Sequence, residues 1–114
     1  MKAFARYDVF ETRLGWMGVL ASSRGLIRTT LPQAAPELCL SLLGPEADGA
    51  THSPEALAGP RELLSLYFTG RAVALEDVAI DIEDAAPFHR QAWGACRTIP
   101  AGETRTYKWL AAEA

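Results

Sequence analysis

A chain of 114 residues that is 49% apolar can bury one modest core, or one domain together with part of another. It has no apolar run near the roughly 18 residues that cross a bilayer, and no apolar signal core follows Lys2 and Arg6, so neither membrane insertion nor export is expected. Two cysteines cannot build a disulfide framework and suit a reducing cytoplasm, while the net charge of −3 argues against nucleic acid as a partner of the whole surface.

The elements follow in chain order. Tyr7, Val9 and Glu11 alternate with Asp8, Phe10 and Thr12, which predicts a strand. Leu14-Gly15 makes a turn, and Trp16 to Ala21 a second strand. Ser22-Ser23-Arg24-Gly25 is a turn ending in glycine, and Leu26 to Leu31 a third strand closed by Pro32. Three consecutive strands joined by short turns make a β-meander. PELCLSLL, Pro36 to Leu43, reads as a short helix that Gly44-Pro45 ends. Pro45 to Ser53 reads as a polar loop. Ser53-Pro54-Glu55 carries a helix-start signal, with Gly59-Pro60 forcing a kink or a restart. Arg61 to Thr69 is helical, with Leu63, Leu64, Tyr67 and Phe68 on its buried side and Gly70 as its stop. Val78, Ile80 and Ile82 alternate with Ala79 and Asp81, which predicts a late, half-buried strand. Glu83-Asp84-Ala85-Ala86 then reads as a linker.

Past the linker the pattern changes to helix. Phe88, Ala92, Trp93, Cys96 and Ile99 form one apolar stripe at spacings of three and four. Pro87 suits its first turn, and Pro100-Ala101-Gly102 ends it. A second helix is predicted from Thr106, whose hydroxyl can cap the free amides, through Trp109, Leu110 and Ala111. From residue 87 onward Arg90, Arg97, Arg105 and Lys108 face only Glu103 and Glu113, leaving this part at +2 and the preceding residues at −5. An acidic body with a basic tail suits a DNA-facing second module, although a solvated imbalance of this size is also common. Strands clustered before helices predict an α+β fold. A boundary at the linker predicts two domains, 1–84 and 87–114.

No phosphate loop, metal-ligand spacing or Ser/His/Asp order is present, so no catalytic residue, cofactor or metal site is assigned. His52 and His89 are far apart on polar stretches. Cys39, between Leu38 and Leu40, and Cys96, on the stripe with Trp93, read as packed core thiols rather than nucleophiles.

The Tyr67-Phe68-Thr69-Gly70 helix end, Pro87-Phe88 with Trp93, Ile99-Pro100-Ala101-Gly102-Glu103-Thr104, and Thr106-Tyr107 with Leu110-Ala111 are specific only in combination. In this order, after a meander with Gly25-Leu26, they resemble the methylated-DNA–protein-cysteine S-methyltransferases, the O6-alkylguanine-DNA alkyltransferases. The resemblance is strongest over residues 67–114. It implies a ribonuclease-H-like scaffold at 1–84 and, at 87–114, the start of a helical DNA-binding domain with a helix-turn-helix. It further implies repair by irreversible transfer of an alkyl group from O6-alkylguanine to a cysteine, on double-stranded DNA carrying the lesion. Tyr107 would contact the phosphate next to the flipped nucleotide, and Thr106 would supply a backbone or hydroxyl contact to phosphate at the same helix start. The family's Pro-Cys-His-Arg acceptor motif, its Arg-Ala-Val-Gly segment and the asparagine after it are absent from these residues, and no zinc ligand set matches. Ala86 stands where a capping threonine is usual, and Trp109 where a polar residue is usual. These 114 residues are therefore expected to be inactive alone, as an incomplete second domain. A non-catalytic DNA-binding or regulatory module of the same type is the alternative, and an unrelated α+β scaffold the third reading. The complete protein is expected to be a monomer, and the Phe88–Trp93 stripe to promote self-association of this part.

Overall fold

The computed structural model describes residues 5–82, 85–100 and 102–114. Lys2, the Glu83-Asp84 half of the expected linker, and Ala101 of the expected helix stop lie outside the described residues. The chain forms two compact units, Met1–Asp81 and Ile82–Ala114.

The first unit is α+β. Strand β1 (Arg6–Thr12) pairs antiparallel with β2 (Gly15–Ser22), from Arg6 opposite Ala21 to Thr12 opposite Gly15. Their turn is closed by Thr12, whose Oγ1 donates to the Gly15 carbonyl at 2.7 Å and accepts from the Leu14 amide at 3.2 Å. Strand β3 (Gly25–Thr29) adds antiparallel to β2, with a register shift between Leu20 and Ala21. The predicted meander is formed.

Helix α1 (Pro36–Leu43) keeps its predicted bounds and turns Cys39 and Leu43 onto the sheet. Gly18 permits this approach: a Cβ there would meet Cys39 Cβ and Leu43 Cδ1 at 3.2 Å. Pro45 to Ser53 is more ordered than a polar loop. Pro45–Asp48 closes one helical turn, α2, and Thr51–His52 forms β4, parallel to β1. The Thr51 amide donates to the Ala5 carbonyl and the Ser53 amide to the Tyr7 carbonyl, so the edge of β1 recruits a strand that has no pattern of its own. The sheet order is β3-β2-β1-β4.

Helix α3 spans Ala58–Tyr67, later than Ser53-Pro54-Glu55 suggests. Pro60 falls in its first turn, where a missing N–H costs no hydrogen bond, so no kink is needed. Gly70 follows at φ 86°, the left-handed stop expected of it.

Among the described residues, buried apolar side chains gather in two clusters. Leu20 packs with Ala5, Leu43 and Ala47. Phe10, Met17, Val19 and Ala21 pack with Leu57, and Leu26, Leu64 and Phe68 lie against them. Phe10, Val19, Leu20 and Leu43 are fully buried. Each such side chain contributes about 1.5–3 kcal/mol relative to exposure.

The strand expected over Val78–Ile82 is not formed. A 3-10 turn at Leu75–Asp77 precedes a single parallel bridge between Ile80 and Leu26. The Leu26 amide donates to the Ala79 carbonyl at 2.9 Å and the Asp81 amide to the Leu26 carbonyl at 2.8 Å. The buried member is Asp81, whose Oδ2 accepts from Ser22 Oγ at 2.5 Å. A polar anchor, rather than an apolar row, holds this segment.

The second unit contains α4 (Pro87–Arg97) and α5 (Tyr107–Glu113). Ala86 offers α4 no side-chain cap, as its methyl group requires. At its other end Thr98 Oγ1 donates to the Ala95 carbonyl at 2.7 Å.

Candidate functional site

Thr106 and Tyr107 stand together where α5 begins. Thr106 is the N-cap, in an extended backbone conformation, and its Oγ1 accepts from the Trp109 amide at 3.0 Å. This is the capping geometry that satisfies a free helical amide. Tyr107 is the first helical residue and is 89% exposed, more than any other large apolar side chain described. An exposed phenol fixed to a capped helix start offers a donor to an incoming ligand with little rearrangement.

Arg105, the residue before the cap, is internally engaged. Its Nη2 lies 2.9 Å from Glu103 Oε1 and its Nη1 donates to the Thr104 carbonyl at 2.9 Å. Its guanidinium sits 5.6 Å from the centre of the Trp109 ring, a cation–π distance. In the sequence Trp109 stands out only as a departure from the polar residue usual by resemblance. The spacing of four between Arg105 and Trp109 was the available signal.

The stripe on α4 is less covered than its periodicity suggests. Phe88 is 60% exposed and Trp93 48%, and Cys96 is exposed rather than packed. His89 stacks on Trp93 with ring centres 5.8 Å apart. Cys39 matches its expectation: it is fully buried, its thiol donates to the Trp16 carbonyl at 3.3 Å, and Thr30 Oγ1 donates to its sulfur at 3.7 Å.

One charged cluster has no signature in the sequence pattern. Asp8 is 1% exposed, on the face of β1 that also carries Phe10. Its Oδ1 accepts from the Val9 amide at 2.9 Å and lies 3.1 Å from His52 Nε2. Its Oδ2 pairs with Arg61 Nη1 at 3.5 Å, and that guanidinium covers the Phe10 ring at 5.5 Å. The cluster ties β1, β4 and α3 together and holds no nucleophile, so its role is in the scaffold. Alternation alone could not show that the buried face of β1 carries a carboxylate. Among the described residues no group of three or more His, Cys, Asp or Glu could hold a metal ion.

No family profile matches the chain. A methylated-DNA–protein-cysteine methyltransferase of Mycolicibacterium paratuberculosis is 40% identical over 67 residues, covering 59% of this chain and 39% of that relative. One from Mycobacterium tuberculosis is 38% identical over 61 residues, covering 54% of this chain and 36% of the relative. The crystal structure of Mycobacterium tuberculosis O6-methylguanine methyltransferase superposes with a TM-score of 0.74 at 26% identity, over 95% of this chain and 60% of that one. The chain thus spans well under half the length of these curated relatives. A meander scaffold followed by a short helical unit is the architecture shared with that solved structure over nearly the whole chain. The chain is thus similar in sequence, over somewhat more than half its length, to methylated-DNA–protein-cysteine methyltransferases, and in fold to a solved O6-methylguanine methyltransferase.

Proposed function

We propose that this chain is the scaffold and the opening of the DNA-contacting domain of a repair protein that reverses O6-alkylguanine in double-stranded DNA. The observation that carries this reading is the structural match to O6-methylguanine methyltransferase over 95% of the chain, taken with the exposed Tyr107 at a capped helix start. Residues 1–84 serve as the scaffold and 87–114 begin the DNA-binding domain. The Tyr107 hydroxyl donates to a backbone phosphate beside the lesion, and Thr106 supports it from the cap. Such contacts position the protein without reading sequence.

The chemistry follows from the substrate. The O6 substituent of a stacked guanine cannot be reached in the duplex, so the nucleotide is turned out of the stack. A cysteine thiolate then attacks the alkyl carbon, and the guanine oxygen leaves with the bonding pair. The thioether formed is stable, so each protein acts once. Two unpaired cysteines support a reducing, cytoplasmic setting for this work. The acceptor motif Pro-Cys-His-Arg is not among these 114 residues, so they do not transfer alkyl groups by themselves. The complete protein acts as a monomer.

The test is incubation of the chain with a duplex bearing O6-[methyl-labelled] guanine. Duplex binding that Tyr107→Ala weakens, with no label on protein, is the expected result. Stoichiometric label on Cys96 or Cys39 refutes the assignment of inactivity. Binding indifferent to Tyr107 refutes its role.

A further inference from the structure

We infer that Arg105 is a positioning residue for Tyr107, acting through Trp109 and the helix cap rather than by touching DNA. The inference rests on the reading that Tyr107 contacts phosphate. An arginine beside such a tyrosine would ordinarily be taken for a second phosphate ligand. Its guanidinium is occupied here on three sides: Glu103 Oε1 at 2.9 Å, the Thr104 carbonyl at 2.9 Å, and the Trp109 ring at 5.6 Å. Arg105 is an exposed residue, yet these contacts leave its side chain only 32% accessible. Its charge is answered by Glu103, so releasing it to a phosphate would break an ion pair and uncover the indole.

The same groups close a loop around the cap. Trp109 offers its amide to Thr106 Oγ1 at 3.0 Å while its ring lies under Arg105. Arg105 therefore fixes the residue whose amide holds Thr106, and Thr106 precedes Tyr107 directly. A planar fork suits this arrangement, since it can bond in its plane and stack on its face at once; a lysine ammonium cannot do both. The aromatic residue at 109, unusual by resemblance, acquires a reason: it is the surface on which Arg105 rests.

The experiment measures binding of the 114-residue chain to a short duplex carrying one O6-methylguanine, by fluorescence anisotropy over a range of salt. The variants are Arg105→Ala, Arg105→Lys, Tyr107→Phe and the Arg105→Ala/Tyr107→Phe double variant. Arg105→Ala is expected to weaken binding about fivefold, the size of an exposed cation–π contact plus an ion pair. The slope of log affinity against log salt stays unchanged, because no phosphate charge contact is lost. Arg105→Lys fails to restore binding, and Arg105→Ala adds little in the Tyr107→Phe background. A slope reduced by about one, rescue by lysine, or full additivity with Tyr107→Phe each overturns the inference. So does Tyr107-dependent binding that ignores Arg105, which leaves the DNA reading standing. A parent chain that binds no duplex overturns the DNA reading and the inference with it.

Discussion

Replacing Gly25 by alanine tests how the segment 79–81 is held. Gly25 has φ +153°, and a Cβ there would lie 2.6 Å from the Ala79 carbonyl carbon and oxygen and 2.7 Å from the Ile80 nitrogen. These are backbone atoms, so no side-chain rotation relieves the contact. The segment has to move, and with it go the hydrogen bonds from Leu26 to Ala79 and from Asp81 to Leu26. Two backbone bonds contribute about 1–3 kcal/mol net, and the disfavoured backbone conformation adds about 1–3 kcal/mol. Gly25→Ala should therefore destabilise the first unit by about 3 kcal/mol, roughly two powers of ten in the folded-to-unfolded ratio. Gly70→Ala is the control. Gly70 also has positive φ, at 86°, but nothing lies within 4 Å of a Cβ there. Only the conformational term of about 1–2 kcal/mol applies. Urea unfolding followed by far-ultraviolet circular dichroism compares the two, and hydrogen exchange at the Leu26 and Asp81 amides localises the effect. Equal losses for the two variants, or unchanged protection at both amides in Gly25→Ala, would refute the close-approach argument.

Three further outcomes are expected. Thr106→Ala removes the hydroxyl that accepts from Trp109, and should cost α5 about 1 kcal/mol with faster exchange at the Trp109 amide; Thr106→Ser should keep most of it. A maleimide added to the native chain should modify Cys96 and spare Cys39 until denaturant is added, and mass spectrometry showing Cys39 modified first would contradict the burial described. The open face bearing Phe88 and Trp93 should promote association of the isolated chain, measured as a concentration-dependent sedimentation coefficient that Phe88→Ser/Trp93→Ser lowers; a parent chain that stays monomeric at high concentration contradicts this.

Local features were legible because their causes are local. Alternation over Tyr7–Thr12, the glycine-ended turn before Leu26 and the proline-to-glycine bounds of PELCLSLL each state a backbone preference without reference to distant residues. The cap at Thr106 is of the same kind, since donor and acceptor lie three residues apart. The motifs that carry the resemblance are legible as order and spacing, and they single out Tyr107 without reference to its exposure.

What depends on distant partners was not legible. Alternation says that a strand has two faces; it does not say that the buried one carries Asp8, because the groups that make this tolerable come from His52 and Arg61. Thr51–His52 is a strand only because β1 offers it an edge. Val78–Ile82 is not one, because contact with Leu26 is made at one bridge and Asp81, not an apolar neighbour, turns inward to Ser22. A helical stripe likewise records which residues share a face and not whether anything covers it, so Cys96 read as core and stands exposed. The basic helix entrance was plain in the sequence; that Arg105 is occupied there, and Tyr107 is left free, was decided by the fold around Trp109.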